Sequence, residues 1–174
     1  PPASGARHGC CRHVVTGRRG DRFLLDANFM ELYRTDGAAS TRLSVDGAWR
    51  LPYIGPLGDL YALTASLRGD AYWVNHVIDT DRPANSRSSG LTGRIVPQLA
   101  LDWRYPLVRS VGSVRQLVEP IVKFALSPHG GNPSKIPNED SHDFEFDDTN
   151  LFNSNRFPGL DRVEGGPRGA CRAG

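Results

Sequence analysis

The sequence predicts an all-β chain, an antiparallel meander of long amphipathic strands with one apolar and one polar face. Three observations carry that prediction. At least five segments alternate apolar and polar residues with period two, which a strand separates onto two faces and a helix would scatter. Several of those segments run to ten residues or more, against about five or six for a usual strand. Between them lie Gly-, Pro-, Asn- and Asp-rich stretches of turn type.

The first alternating segment is Arg22 to Arg34. Phe23, Leu25, Ala27, Phe29 and Tyr33 share one face, with Asp26, Asn28 and Arg34 on the other, and Glu31 interrupts the apolar row. Asp36-Gly37 then gives a hairpin signal. The second, Ser40 to Tyr53, is the cleanest: Thr41, Leu43, Val45, Gly47, Trp49, Leu51 and Tyr53 alternate with Arg42, Ser44, Asp46, Ala48 and Arg50. Ile54 to Gly58 is a short turn. The third sets Tyr61, Leu63, Ala65 and Leu67 against Ala62, Thr64, Ser66, Arg68 and Asp70. Asp79 to Gly90 reads as a long polar loop. The fourth, Gly93 to Leu107, sets Ile95, Pro97, Leu99, Leu101, Trp103 and Tyr105 against Arg94, Gln98, Asp102 and Arg104. Val108 to Ser113 turns the chain. The fifth sets Val114, Val118, Pro120, Val122, Phe124 and Leu126 against Arg115, Glu119 and Lys123. Pro97 and Pro120 cannot donate to a ladder and are expected at bends.

Such strands build either half of a soluble β-sandwich or the wall of a membrane barrel, and periodicity alone does not separate the two. Three features lean towards the barrel. Arg and Asp occupy the middle of the polar faces. Aromatic residues (Tyr33, Trp49, Tyr53, Trp73, Trp103, Tyr105) gather near strand ends, as interfacial girdles do. The strands are also long. Apolar content of 39% suits a sheet that wets one face, and a net charge of +2 implies no nucleic-acid footprint. No apolar run is long enough for a transmembrane helix, and residues 1–20 contain no apolar signal-peptide core.

Ser127 to Arg168 is too polar for a core element and too patterned for a neutral linker. Six carboxylates fall between Glu139 and Asp148, and Arg156, Arg162 and Arg168 follow only after them. Three readings stand. The loop packs through Phe144, Phe146, Leu151 and Phe152; or Asp143, Glu145, Asp147 and Asp148 offer oxygen ligands to a divalent cation; or a carboxylate pair performs glycoside hydrolysis. No EF-hand loop, HExxH or GxSxG occurs, so the expected catalytic, metal and cofactor set is empty. A fold-back of Arg156 and Arg162 onto Asp147, Asp148 or Asp161, over a seam of Phe144, Phe146 and Phe157, would make the loop an ordered cap.

The run IPNEDSHDFEFDDTNLFNSNRFPGLDRVEGGPR, preceded by Leu117-Val118-Glu119-Pro120, resembles the barrel domain of the LPS-assembly protein LptD family, in its alphaproteobacterial form. RTDGAASTRLSVDGAW, LRGDAYW and VPQLALDWRYPLVR fit the same family. The resemblance covers 21–168. It leaves 1–20 and 169–174 as compositionally odd flanks, expected to be disordered or foreign to the domain. All three cysteines, Cys10, Cys11 and Cys171, lie in those flanks without metal-ligand spacing.

The resemblance implies part of a non-enzymatic outer-membrane translocon that assembles lipopolysaccharide into the outer leaflet. It also implies an LptE-like plug lipoprotein and periplasmic lipopolysaccharide-bridge proteins as partners. A porin-like barrel and a glycan-binding sandwich are the alternatives. On the barrel reading Arg42, Asp46, Arg50, Arg68, Asp70, Arg94, Asp102, Arg104, Glu119 and Lys123 face the lumen. The extracellular loop then presents Glu139, Asp140, Asp143, Glu145, Asp147, Asp148, Arg156, Asp161 and Arg162, or folds with them into the lumen. As an isolated stretch, five or six strands are expected to leave an open sheet, since the smallest bacterial barrels have eight.

Overall fold

A computed structural model describes residues 4–34, 39–78, 87–134, 136, 138–141, 152–153, 155, 157 and 159–173. Its strands are β1 (Ser4–Thr16), β2 (Arg22–Arg34), β3 (Ala39–Ile54), β4 (Leu60–Ile78), β5 (Arg87–Arg104), β6 (Leu107–Val111), β7 (Val114–Val118), β8 (Pro120–Ser127) and β9 (Gly166–Ala173). Seven of them form one open antiparallel sheet in the order β1-β2-β3-β4-β5-β8-β9, while β6 and β7 pair only with each other.

The sheet therefore has seven strands rather than five or six, because both flanks join it. Residues 4–16 pair with β2 along their whole length, and 166–173 pair with β8. Composition hides these two edge strands: their rows mix Gly, Arg, His and Cys instead of alternating cleanly. The fifth expected strand is two elements, β7 and β8, separated at Glu119, and the expected turn at 108–113 is a hairpin closing at Gly112-Ser113. Pro120 does stand at a break, the one at Glu119 before β8. Pro97 does not, for it faces Leu67 in unbroken register, and the irregularity in that ladder lies between Val74 and Val77. Strand β8 pairs with β5 only from Leu99 to Arg104, so Pro97 sits where one edge of β5 is unpaired within the sheet and its missing donor is tolerated.

Register aligns the side chains into two continuous faces. Phe29, Leu43 and Ala71 follow one another across β2, β3 and β4, as do Gly47, Leu67 and Pro97 across β3, β4 and β5. This outward face stays open: Leu25, Leu43, Val45, Leu67, Ile95, Leu99 and Phe124 are all exposed. On the other face Arg42, Arg68, Asp70, Tyr72 and Arg94 are buried, because the described residues of segment 128–165 lie across it. The core is thus on the polar side. Its apolar centre is Tyr72 and Val74 of β4 with Ile136 of the segment, which is fully buried.

Two hairpin turns share one construction. Gly17-Arg-Arg-Gly-Asp21 joins β1 to β2, and Gly55-Pro-Leu-Gly-Asp59 joins β3 to β4. In each the first glycine donates its N–H to the aspartate carbonyl, at 2.7 Å and 2.8 Å. The second glycine takes a positive φ, 76° at Gly20 and 84° at Gly58. The aspartate then receives an indole N–H from a neighbouring strand, Trp49 onto Asp21 and Trp103 onto Asp59, both at 3.3 Å. A bond from the Tyr61 hydroxyl, against the cost of burial, and the Trp103 bond hold the Asp59 carboxyl below its usual range. Together with the Tyr53–Tyr61 and Trp103–Tyr105 ring pairs, these residues ring the short-turn end of the sheet.

Candidate functional site

The inward face of β3, β4 and β5 places Arg42, then Arg68, Asp70 and Tyr72, then Arg94 at neighbouring positions. Register sets Arg42 opposite Tyr72 and Asp70 opposite Arg94. Asp70, whose side chain is inaccessible, accepts from Arg68 Nε at 3.0 Å and Arg94 Nε at 2.6 Å. The guanidinium of Arg94 stands 5.8 Å from the centre of the Tyr72 ring.

Onto this face the segment brings two aspartates and several carbonyls. Asp161, 1% exposed, accepts from Arg42 Nη1 at 2.6 Å and from the Tyr72 hydroxyl at 3.2 Å. Asp140 accepts from the same Arg42 nitrogen at 2.6 Å. The two aspartates also clasp each other's backbone. The Asp161 carboxylate takes the Asp140 N–H at 3.2 Å, and the Asp140 carboxylate takes the Asp161 N–H at 2.9 Å. Arg94 donates to the carbonyls of Gly131 and Asp161, and both Arg68 and Arg94 donate to that of Leu160. Three arginines and three aspartates balance in formal charge, which is what lets them stay buried. Removing one partner would leave an uncompensated charge in a low-dielectric space.

The motif residues of the segment are its clamps. Asn132 pairs with the backbone of Val163 in both directions, at 2.7 Å and 2.9 Å. Asn155 bridges the Arg162 carbonyl and the Glu164 N–H. Ser141 accepts from the N–H groups of Asp161 and Arg162 and donates to Asp140. Gly159 lies so close to Asp140 that an added Cβ would stand 2.2 Å from its Oδ1. NEDS and the stretch 159–162 are therefore two halves of one docked turn.

Of the residues expected to face inward, Arg42, Arg68, Asp70, Arg94 and Asp102 are buried, and Asp46 and Lys123 are half-buried on the same face. Lys123 stands 3.5 Å from Asp102 and donates to the Phe152 carbonyl. Arg50 and Arg104 are exposed, both close to the short-turn end, and Glu119 is half-buried at the break before β8. In the segment Glu139, Asp140, Asp161 and Arg162 are described, whereas Asp143, Glu145, Asp147, Asp148 and Arg156 lie outside the described residues, as do Phe144 and Phe146. Asp161 is paired by Arg42 from the sheet, and Arg162 donates to the Ile136 carbonyl at 3.2 Å, while the expected partner Arg156 lies outside the described residues. Among the described residues no group of three or more His, Cys, Asp or Glu is arranged to hold a metal ion. The sequence reading missed Tyr72, Asn132, Ser141, Asn155 and Ile136. Tyr72 left a signal as an aromatic on the polar phase of its strand, and Ile136, Ser141 and Asn155 lie in the run that carries the family resemblance, where nothing local gave them a role.

Long antiparallel strands with an exposed apolar face, an aromatic end and a charged inner face filled by the chain itself define the wall of a membrane β-barrel. The twelve steps from Tyr61 to Trp73 along β4, at roughly 3.4 Å each and tilted about 45°, rise roughly 30 Å, close to the apolar thickness of a bilayer. The sequence model of one family, LptD: LPS transport system D, matches residues 16–168, and the chain belongs to that family. No curated protein sequence matches it. The protein is accordingly a lipopolysaccharide-assembly component of the Gram-negative outer membrane, a transport protein and not an enzyme. The porin-like reading yields to the family match. The sandwich yields also to the outward face, which no second sheet covers among the described residues.

Proposed function

We propose that this chain forms part of the lumen wall along which lipopolysaccharide travels, and that the described residues of segment 128–165 are an inward-folded lining that narrows the path. The observation that carries the reading is the burial of Arg42, Arg68 and Arg94 against segment carbonyls and carboxylates. The segment leaves β8 beside the middle of β5, since Leu126 pairs with Leu99, and it leaves heading away from the short turns; in outer-membrane barrels that direction is extracellular. It then returns along the polar face. A cavity of about 260 Å³ runs beside it, lined by Asp46, Thr64, Ser66 and Gln98 from the sheet and by Asn155 and Glu164 from the segment. Leu24, Ala48, Val96 and Val163 also line it, so the cavity mixes polar and apolar surface, as an amphiphile with sugars and methylenes requires, and the apolar outer face suits lipid tails. The partners of such a path are an LptE-like plug lipoprotein and periplasmic proteins that deliver lipopolysaccharide.

Neighbouring residues on opposite faces test this. A photoreactive side chain at Ser66, inside, is expected to capture lipopolysaccharide during active delivery, and one at Leu67, outside, is not. Equal capture at both positions, or none at Ser66, would overturn the proposal.

A further inference from the structure

The β6–β7 hairpin is not accounted for by the lumen wall. It stands apart from the main sheet, with Pro106 and Pro120 on its two legs and one bond at its base, from the Tyr105 N–H to the Pro120 carbonyl at 3.1 Å. Every residue of both strands is exposed. Leu107 and Val118 face one another, as do Val111 and Val114 at the tip, with exposures of 45% to 58%. Leu117 and Val108 put apolar surface on the opposite face as well. Arg109 and Arg115 are the hairpin's charges, and no carboxylate lies between 107 and 118. A two-stranded, cationic, apolar hairpin is a poor element to leave in water.

We propose that this hairpin is an interfacial foot, seated on the anionic phospholipid surface of the leaflet at the short-turn end. The occupant follows from continuity with the lipid-facing surface. Leu107 comes two residues after Tyr105, which stacks on Trp103 in the aromatic girdle, and such girdles lie at headgroup level. The hairpin therefore starts at the depth of lipid phosphates. Upright, its five residues would rise roughly 12 Å at a 45° tilt, past a headgroup layer of roughly 5–8 Å. The proline-bearing legs detach it from the sheet, so it can lean along the surface, sink Val111 and Val114 and offer Arg109 and Arg115 to phosphates. Its unpaired strand edges stay hydrated at that depth, which the hydrocarbon would forbid.

The test uses the protein with Cys10, Cys11 and Cys171 replaced by serine and an environment-sensitive fluorophore on Val111→Cys. It is reconstituted in phosphatidylcholine vesicles with or without phosphatidylglycerol, both carrying brominated lipid. The label is expected to be quenched, more strongly with phosphatidylglycerol. Removing charge with Arg109→Gln and Arg115→Gln should weaken the seating by roughly five-fold for each charge and abolish the phosphatidylglycerol effect. A second label on Leu99→Cys, in the apolar belt, must be quenched in every preparation and reports that the sheet is embedded. With that control satisfied, a Val111 label that stays in water overturns the proposal. So does one that is shielded yet unquenched by lipid, since a protein partner would then be the occupant.

Discussion

Asp140 shows how a carboxylate is kept ionised within a docked loop. Burial opposes ionisation of Asp140, yet the Arg42 guanidinium and the N–H groups of Asp161 and Leu160 hold its carboxyl down to about 2. Its folded value lies below the ordinary value of about 3.9. The contribution to docking is therefore complete above about pH 4 and is lost as pH falls towards 2. Amide hydrogen exchange at Leu160 and Asp161, whose N–H groups donate to Asp140 at 3.0 Å and 2.9 Å, reads this directly. Protection should stay level from neutral pH to about 4 and decline below it, and Asp140→Asn should remove that acid step. A step near neutral pH would contradict the assignment. The sequence disclosed the acids but not their partners. Asp161 meets Arg42 across 119 residues of chain, a separation that no local spacing encodes.

At the scale of the strand, alternation made β2 to β5 legible, and with them the two faces. Phe23 to Phe29 and Leu43 to Tyr53 can be separated only by a period of two. Edge strand β1 was not legible, because its outward row is Gly9, Cys11, His13 and Val15 rather than a hydrophobic series. The β6–β7 hairpin misled for the opposite reason, since apolar residues on both faces leave no phase to read. One energetic expectation changes as well. Val45→Arg on the outward face should cost about 2–4 kcal/mol at midplane depth. Ser44→Arg, which alternation alone would make cheap, has no free surface to enter, since Ser44 is 4% exposed. Thr64→Arg has the inward cavity to enter and should be the tolerated substitution. Folding titrations of the three variants in lipid vesicles order them, and equal cost for Val45→Arg and Thr64→Arg would contradict the face assignment.

For the molecule as a whole, the barrel wall is written in the strands, and the covering of its charged face in the motifs of 128–165. NEDS and the stretch 159–162 supply the contacts that turn the loop inward. The clasp needed both halves and the strand arginines in space, so it was not visible from either stretch alone. The inward docking of the segment is the claim on which the lumen reading depends. Val74 tests it, being 3% exposed on the inner face of β4 where it packs against Ile136. In a background without the native cysteines, a thiol at Val74→Cys should resist a membrane-impermeant maleimide in the embedded protein. It should react once residues 130–164 are replaced by a short glycine-serine linker. Immediate labelling of Val74→Cys with the segment intact would contradict the account.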